Sequence, residues 1–595
     1  MFSETPTIQF RAEQEICPID KQDLKVFKSS TKKVYSTVIG CFFAHQVELY
    51  CPQHAEVGVF KSKRLERIVA ADCNFAYDAI VEIGKLRHLH HYQVEEIKQT
   101  FIQKYDLTIS NSGIETLLLK FITYLSIVHN NSNELIKAYI KAQGGYILHL
   151  DCTCEGDSPK LASSIDALSG FVLHSARIRS ENEQEIVEFL TSIKDMLGIP
   201  LATFSDMGRG ILKAVDKVFP DRPHYICHFH FLKMIGKLLF EEENNHLRKK
   251  LSQAGISGSL KNLKRELVKK FNQRNIKQLD TYLSKPIKNR GDLYFSDVLV
   301  YSLILWILDY ASLGNGYGFP FDRSYLSFYV RLQQAIENIN NALSLFPHEA
   351  EQNDMLWKLR TLILKITDDK NLKMIVKLYQ NKVVVFDKLR HALRSAPENE
   401  HNGLADVSIS TSKTELKLIQ KAVAEFTKYI DKEIVENKNK KLVNSYKLVT
   451  ARIKKYNSML FSDPLEVEVA GKKRMIFFHR TNNILERHFR AISYANRRIS
   501  GNNSLRKNLK NMHPSTPLAM NLKNKNYVRL IFGDELNIAT KFSEIDIETV
   551  RKKITEIKIE KCYSSRKIKK LIRKKDFLFK LTNAFEIQAN YANVG

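Results

Sequence analysis

No uninterrupted apolar stretch in these 595 residues approaches the roughly 20 needed to span a bilayer. Met1 to Arg11 is polar and has no apolar core, so no secretory leader is expected. Eight cysteines in so long a chain do not make a disulfide scaffold; they read as buried thiols with a few metal ligands among them. There is no Gly-x-Ser-x-Gly elbow and no Gly-x-x-x-x-Gly-Lys loop, so serine hydrolases of the elbow type and P-loop NTPases lack their working parts. Acidic residues are in deficit: 65 Asp and Glu stand against 92 Lys and Arg, a formal net charge of +27. Self-repulsion of that size is relieved by a polyanion, and neutralising phosphates releases counterions, so a nucleic-acid partner is expected. A basic enzyme with no such partner is the alternative.

What is present is a globular composition, 44% hydrophobic, in a chain long enough for several domains. Residues 1–60 carry short β-like runs such as Lys33-Val34-Tyr35-Ser36-Thr37-Val38-Ile39. Two Cys-Pro dipeptides, Cys17-Pro18 and Cys51-Pro52, each precede a second ligand type at Cys-x-x spacing, Asp20 and His54. Tetrahedral zinc accepts S, N and O donors, so Cys17, Asp20, Cys51 and His54 form a chemically possible set, with Cys41 or His45 as substitutes. A zinc-knuckle-like unit and an unmetallated β unit both stand at this point. Residues 61–140 turn helical. Val94, Ile97, Phe101 and Ile102 mark one apolar face, and Ser110-Asn111-Ser112 caps a second helix through Ile114, Leu117, Leu118, Phe121 and Leu125. This segment reads as helix-turn-helix-like, with Lys120 the one obvious phosphate contact, or as a plain helical pair.

An α/β pattern follows over 145–230. Strands end at Asp151 and Asp206, and strand ends are where open α/β sheets place their sites. Residues 231–470 are helical and too long for a loop, so they read as an all-α insertion. The segment 471–505 brings Glu486 on a helix, and 506–595 is a basic C-terminal region with a run around Lys569 and Lys570. That run is a solvated helix face or a phosphate-contacting surface. Taken singly, each acid is weak evidence: an Asp after a strand is often a turn or cap residue, and a Glu on a helix is usually solvated. Together, two Asp and one Glu are what in-line phosphodiester chemistry asks for, because carboxylates hold the paired Mg²⁺ ions that activate the attacking oxygen and neutralise the leaving one.

Leu148-His149-Leu150-Asp151-Cys152-Thr153, Phe204-Ser205-Asp206-Met207-Gly208 and Thr481-Asn482-Asn483-Ile484-Leu485-Glu486-Arg487-His488-Phe489-Arg490 resemble the three acidic motifs of DDE-type transposases, in the branch of bacterial insertion-sequence enzymes related to Mutator-like elements. Cys227-His228-Phe229-His230 matches that branch's Cys-x-x-His after the second acid. The resemblance covers about Leu148 to Met234 and Arg480 to Gly501. It implies an α/β ribonuclease H-like catalytic core interrupted by the all-α insertion, binding Mg (or Mn) through Asp151, Asp206 and Glu486, with His230 beside the site and Cys227 structural. Arg487, Arg490, Arg497 and Arg498, with Lys569 and Lys570, are the implied DNA contacts. The implied activity is cleavage and strand transfer at element ends on double-stranded DNA, by a homodimer or larger assembly in a bacterial cytoplasm. A DNA-binding regulator derived from a transposase and a nuclease without strand transfer are the alternatives. Two departures stand out: Cys152 occupies a position where Gly is common, and Asp157 is a second acid close to the first motif.

Overall fold

The computed structural model describes residues 5–270, 293–345, 354–395, 413–561 apart from 462, 470 and 479, and 571–592. It is a mixed α/β protein with both parallel and antiparallel strand pairs. The chain divides into two compact units: Met1–Leu201, Arg209–Arg222 and Ile484–Gly595 make the first, Ala202–Gly208 and Pro223–Asn483 the second. The segment read as one stretch of catalytic domain, 145–230, is therefore shared between them.

In the first unit the β-branched and aromatic N-terminal runs form one sheet. Strands β1 (Thr7–Arg11) and β2 (Lys25–Ser36) flank β3 (Gly40–Tyr50), β1 parallel and β2 antiparallel, and β4 (Val59–Phe60) adds to the end of β3. Gly40 at φ 89° lets β2 return directly as β3. The helices Tyr77–His88, Val94–Tyr105, Asn111–Asn131 and Asn133–Ala142 follow. Ser110 caps the third of these by accepting a bond from the Gly113 amide at 3.1 Å, as its sequence suggests.

That third helix is a core element. Every residue from Lys120 to His129 is buried, because the helix is packed on several sides at once. Lys120, the expected phosphate contact, is 9% exposed and pairs with Asp72 at 3.4 Å. Glu115 on the exposed first turns pairs with Arg87 at 3.4 Å. Gly84 makes the packing possible: a Cβ at that position would lie 2.2 Å from the Phe121 ring.

The first unit's second sheet joins β5 (Ile147–Thr153), β6 (Lys160–Asp166) and β7 (Val172–Ile178), all antiparallel. Its two faces are both apolar. Leu148, Leu150, Ala162 and Leu173 belong to the large core that includes the helices above. Leu161, Ile165 and Val172 pack instead with Leu485, Phe489 and Ile492 of the Asn483–Ser500 helix.

The stretch expected to be a basic C-terminal region contributes to the core rather than trailing from it. Tyr527, Val528, Ile531, Phe532, Ile538 and Phe542 are all buried in the large core. Phe542 stacks on Tyr124 at 5.1 Å, and the Tyr527 hydroxyl bonds His129 Nδ1 at 2.8 Å. Asn521 closes the free edge of β7: its Oδ1 accepts from the Val172 amide at 2.7 Å and its Nδ2 donates to the Val172 carbonyl at 2.9 Å. A side-chain amide thus stands where a neighbouring strand would. Asn521→Ala strands both buried backbone groups and is expected to cost about 2–4 kcal/mol, read as a shifted urea midpoint at constant slope.

In the second unit β8 (Ala202–Ser205) and β9 (His224–Ile226) run parallel. The helices His228–Gln253, Ile256–Lys270, Leu293–Leu308, Ser324–Leu345, Asp354–Thr367, Lys370–Ala392, Lys413–Glu436 and Lys440–Leu460 follow. Their amphipathic periodicity is what the sequence shows, and among the buried charged residues Lys382 meets Glu243 at 2.7 Å. The helical stretch ends at Leu460, earlier than its expected limit, because the alternation Leu465-Glu466-Val467-Glu468-Val469 makes β10 (Leu465–Val469), which turns back as β11 (Lys472–Ile476). Among the described residues no helix is long and apolar enough to cross a membrane.

Candidate functional site

Asp151 lies near the end of β5, directly opposite Ser163 of β6. Paired residues of an antiparallel ladder project to the same face, and residues two apart on one strand do so as well. Asp151 therefore shares a face with Ser163, Leu161 and Ile165. That is the face covered by Leu485 and Phe489. So the helix that carries Glu486 lies over the side of the sheet from which Asp151 projects. Both carboxylates are half-buried, and Asp151 Oδ1 accepts from the Cys152 amide at 2.8 Å. Cys152 projects the other way and packs against the large core.

The second acid near the first motif has a different occupation. Asp157 is paired with Arg506 and, at 3.1 Å, with Lys510. These two cations hold its carboxyl well below the usual carboxylate range, Arg506 contributing most. Asp157 is thus an exposed ion-pair partner.

The second unit holds the other half of the motif set. Asp206 follows β8, half-buried, and its Oδ1 accepts from the Gly208 amide at 3.1 Å, which shapes the turn after the strand. Ser205, just before it, bonds His224 Nε2 at 2.8 Å and so ties β8 to the first residue of β9. His230 sits in the first turn of the His228–Gln253 helix, close enough to Asp206 for their charges to interact. Burial lowers its pKa, the Asp206 charge works against that, and Lys233 adds to the lowering. His230 Nδ1 is buried with no hydrogen-bond partner among the described residues.

Cys227 is fully buried, and its Sγ accepts from the Asn482 amide at 3.3 Å. His228 reinforces the same junction: its amide donates to the Arg480 carbonyl at 2.9 Å and its Nε2 lies 2.6 Å from the Leu460 carbonyl. The buried Arg480 donates to the Leu393 carbonyl at 2.8 Å. The Cys-x-x-His block thus grips the residues immediately preceding the Glu486 helix, across the whole helical segment between them.

On the Asn483–Ser500 helix Leu485, His488, Phe489, Ile492 and Asn496 are buried, a repeat of three and four residues. The opposite face presents Arg487, Arg490, Tyr494 and Arg497, all exposed. Tyr494, 65% exposed, was not singled out from the sequence, although its position four residues after Arg490 places it on that stripe. Arg498 is engaged with Glu96 at 2.5 Å, which makes it a fastening between helices of the first unit rather than a ready phosphate ligand. Lys569 and Lys570 lie outside the described residues.

Of the N-terminal candidates, Cys17, Asp20 and Cys51 have ligand atoms all within 4.8 Å of one another, a group that could hold a metal ion. It is the one such group among the described residues. Neither a family model nor a curated protein matches this chain.

Proposed function

We propose that this chain is a DDE-type transposase, with a ribonuclease H-like core split by an all-α insertion, that cleaves DNA at its element's ends and joins the freed strands to a target. The observation that carries the reading is the placement of the Glu486 helix over the sheet face from which Asp151 projects, though the two are far apart in the chain. The proximity of His230 to Asp206, and the grip of Cys227 and His228 on Arg480 and Asn482, support it from the second unit. Asp151, Asp206 and Glu486 are each half-buried carboxylates, hard oxygen ligands of the kind Mg²⁺ takes. The resemblance assigns the ion to them, and bound it would supply Lewis-acid stabilisation of the charge on the transferring phosphoryl oxygens.

The protein's own groups do the rest. The turn that follows β8 fixes Asp206, and the sheet fixes Asp151. His230 stands beside Asp206 to orient the DNA or a leaving group. Arg487 and Arg490, one turn apart, and Arg497, two turns further on, form a cationic stripe to hold the phosphate backbone against the acid on the same helix. Two element ends in one working complex call for at least two copies of the chain.

The test is incubation of the purified chain with Mg²⁺ and a duplex carrying the DNA that flanks its own coding region. Joined strands are the expected product. Free ends alone would mean a nuclease, and binding without any cleavage would mean a regulator. Charge removal on the stripe, R487A/R490A/R497A, is expected to weaken binding to all duplexes alike and to reduce the slope of log K against log[salt] by about 2–3. An unchanged slope would show that these arginines only solvate the helix.

A further inference from the structure

We propose that Cys17, Asp20, Cys51 and His54 bind one structural zinc ion, with Glu56 fixing the histidine from outside the ligand set. The two Cys-Pro turns bring the ligand atoms of Cys17, Asp20 and Cys51 within 4.8 Å of one another, and His54 Nε2 lies against Asp20 Oδ2 at 3.5 Å. The first turn closes on itself: the Cys17 amide donates to the Gln22 carbonyl at 2.8 Å and the Lys21 amide to the Cys17 carbonyl at 3.1 Å. Lys21 takes φ 61°, the left-handed conformation that such a tight return needs. The second turn leaves the end of β3 and places His54 just before a short helical turn, Ala55–Val57.

The separations suit tetrahedral zinc. Zn–S bonds near 2.3 Å and Zn–N or Zn–O bonds near 2.0 Å put neighbouring ligand atoms about 3.3–3.8 Å apart. Asp20 Oδ2 lies 3.5 Å from His54 Nε2 and 4.0 Å from Cys51 Sγ. Asp20 Oδ1 is occupied by the Gln22 amide at 3.0 Å, so the carboxylate presents one oxygen, Oδ2, to the group. His54 Nδ1 meets Glu56 Oε1 at 3.0 Å, which leaves Nε2 as the ligating nitrogen. A carboxylate behind a histidine is the usual support of a metal-bound imidazole. The two alternative ligands are placed elsewhere: His45 Nδ1 bonds the Thr31 hydroxyl at 2.9 Å, and Cys41 pairs with Tyr35 in the β2–β3 ladder.

Four protein donors leave no open position, so the site is structural and not catalytic. The local apolar cluster is small, only Ala12, Cys17, Leu24, Leu49 and Cys51 with Val47 and Phe60 against it. A core of that size gains from a metal staple that ties the loop before β2 to the end of β3. Binding displaces the two thiol protons to solvent, so zinc uptake releases acid.

The test uses the full chain, stripped with a chelator and titrated with Co²⁺, then with Zn²⁺. One equivalent of Co²⁺ is expected in a tetrahedral, thiolate-containing site, with intense visible and sulfur-to-metal absorption that Zn²⁺ abolishes. Co²⁺ at an all-carboxylate site has no thiolate band, so this readout is independent of the transposase reading. Asp20→Cys should keep the stoichiometry and raise the thiolate band by about half, from two sulfurs to three. Glu56→Gln should keep the site and weaken Co²⁺ affinity by roughly 10–100-fold. Cys51→Ser should abolish the thiolate spectrum. No thiolate band in the unmodified chain, a band unaltered by Asp20→Cys, or a Cys17–Cys51 disulfide in the chain as isolated would overturn the proposal. The Asp20 and Glu56 variants decide the matter even if Cys51→Ser fails to fold.

Discussion

Alanine at Asp151, Asp206 or Glu486 is expected to bring DNA strand cleavage down to background while end binding stays nearly intact. Each substitution removes a hard oxygen ligand, and losing Lewis-acid stabilisation worth several kcal/mol corresponds to roughly a 10³-fold drop in rate or more. On the proposed reading binding rests on other groups, chiefly the exposed arginine stripe of the Asn483–Ser500 helix. The three acids are half-buried and none fills a core position, so their replacement should leave thermal stability close to that of the unmodified chain. His230→Ala should be less complete, because the residue interacts with the Asp206 charge without being one of the proposed ligands. Gel assays of cleavage and binding on the same DNA separate these outcomes. Full activity in any of the three alanine variants would remove that residue from the site and with it the transposase reading.

The second large effect is acid sensitivity. His129, His228 and His488 are all buried, and burial pushes each down to about 4, with the Arg480 charge adding to the effect at His228. Their bonding agrees with neutral rings: His129 lies between the Tyr527 hydroxyl and the Leu173 carbonyl, and His228 meets the Leu460 carbonyl. In the unfolded chain these rings titrate near 6.5. Below that pH the unfolded state takes up protons that the folded state refuses, so stability present above about pH 6.5 declines as the pH falls toward 4. Each ring accounts for about 2–3 kcal/mol across that window. His129 and His488 belong to the first unit and His228 to the second, so both units should weaken. Urea midpoints measured between pH 7.5 and 4.5 should fall steadily, and a variant with His488→Leu should show a shallower fall. A flat profile would show that these rings charge without penalty.

Much of this was legible along the chain. The apolar repeat of three and four residues marks the helices of 61–140 and of 231–460, the Ser110 cap works as read, and the strand runs that end near Asp151 and Asp206 are strands. The Cys-x-x-Asp spacing and the second Cys-Pro turn do bring Cys17, Asp20 and Cys51 together, and His54 meets Asp20, since two short turns set them almost locally. Other features were hidden because they depend on partners far away in sequence. A run of buried residues from Lys120 to His129 looks like one amphipathic helix until Phe542 and Tyr527 arrive from the C-terminal segment to cover its second face. Asn521 reads as an ordinary polar residue, yet it substitutes for a strand at the edge of β7. Asp157 and Asp151 are both acids near one motif, and only the arrival of Arg506 and Lys510 beside Asp157 separates their roles.

Element type and local chemistry were therefore settled within windows of a few turns, because backbone periodicity, caps and turn ligands act over that range. The partition of the chain into two units, the burial of its basic C-terminal segment, and the placement of the Glu486 helix over the Asp151 face of the sheet were settled by folding alone. Apolar burial is non-directional and proportional to area, so it names the residues that must be covered but not the segment that covers them.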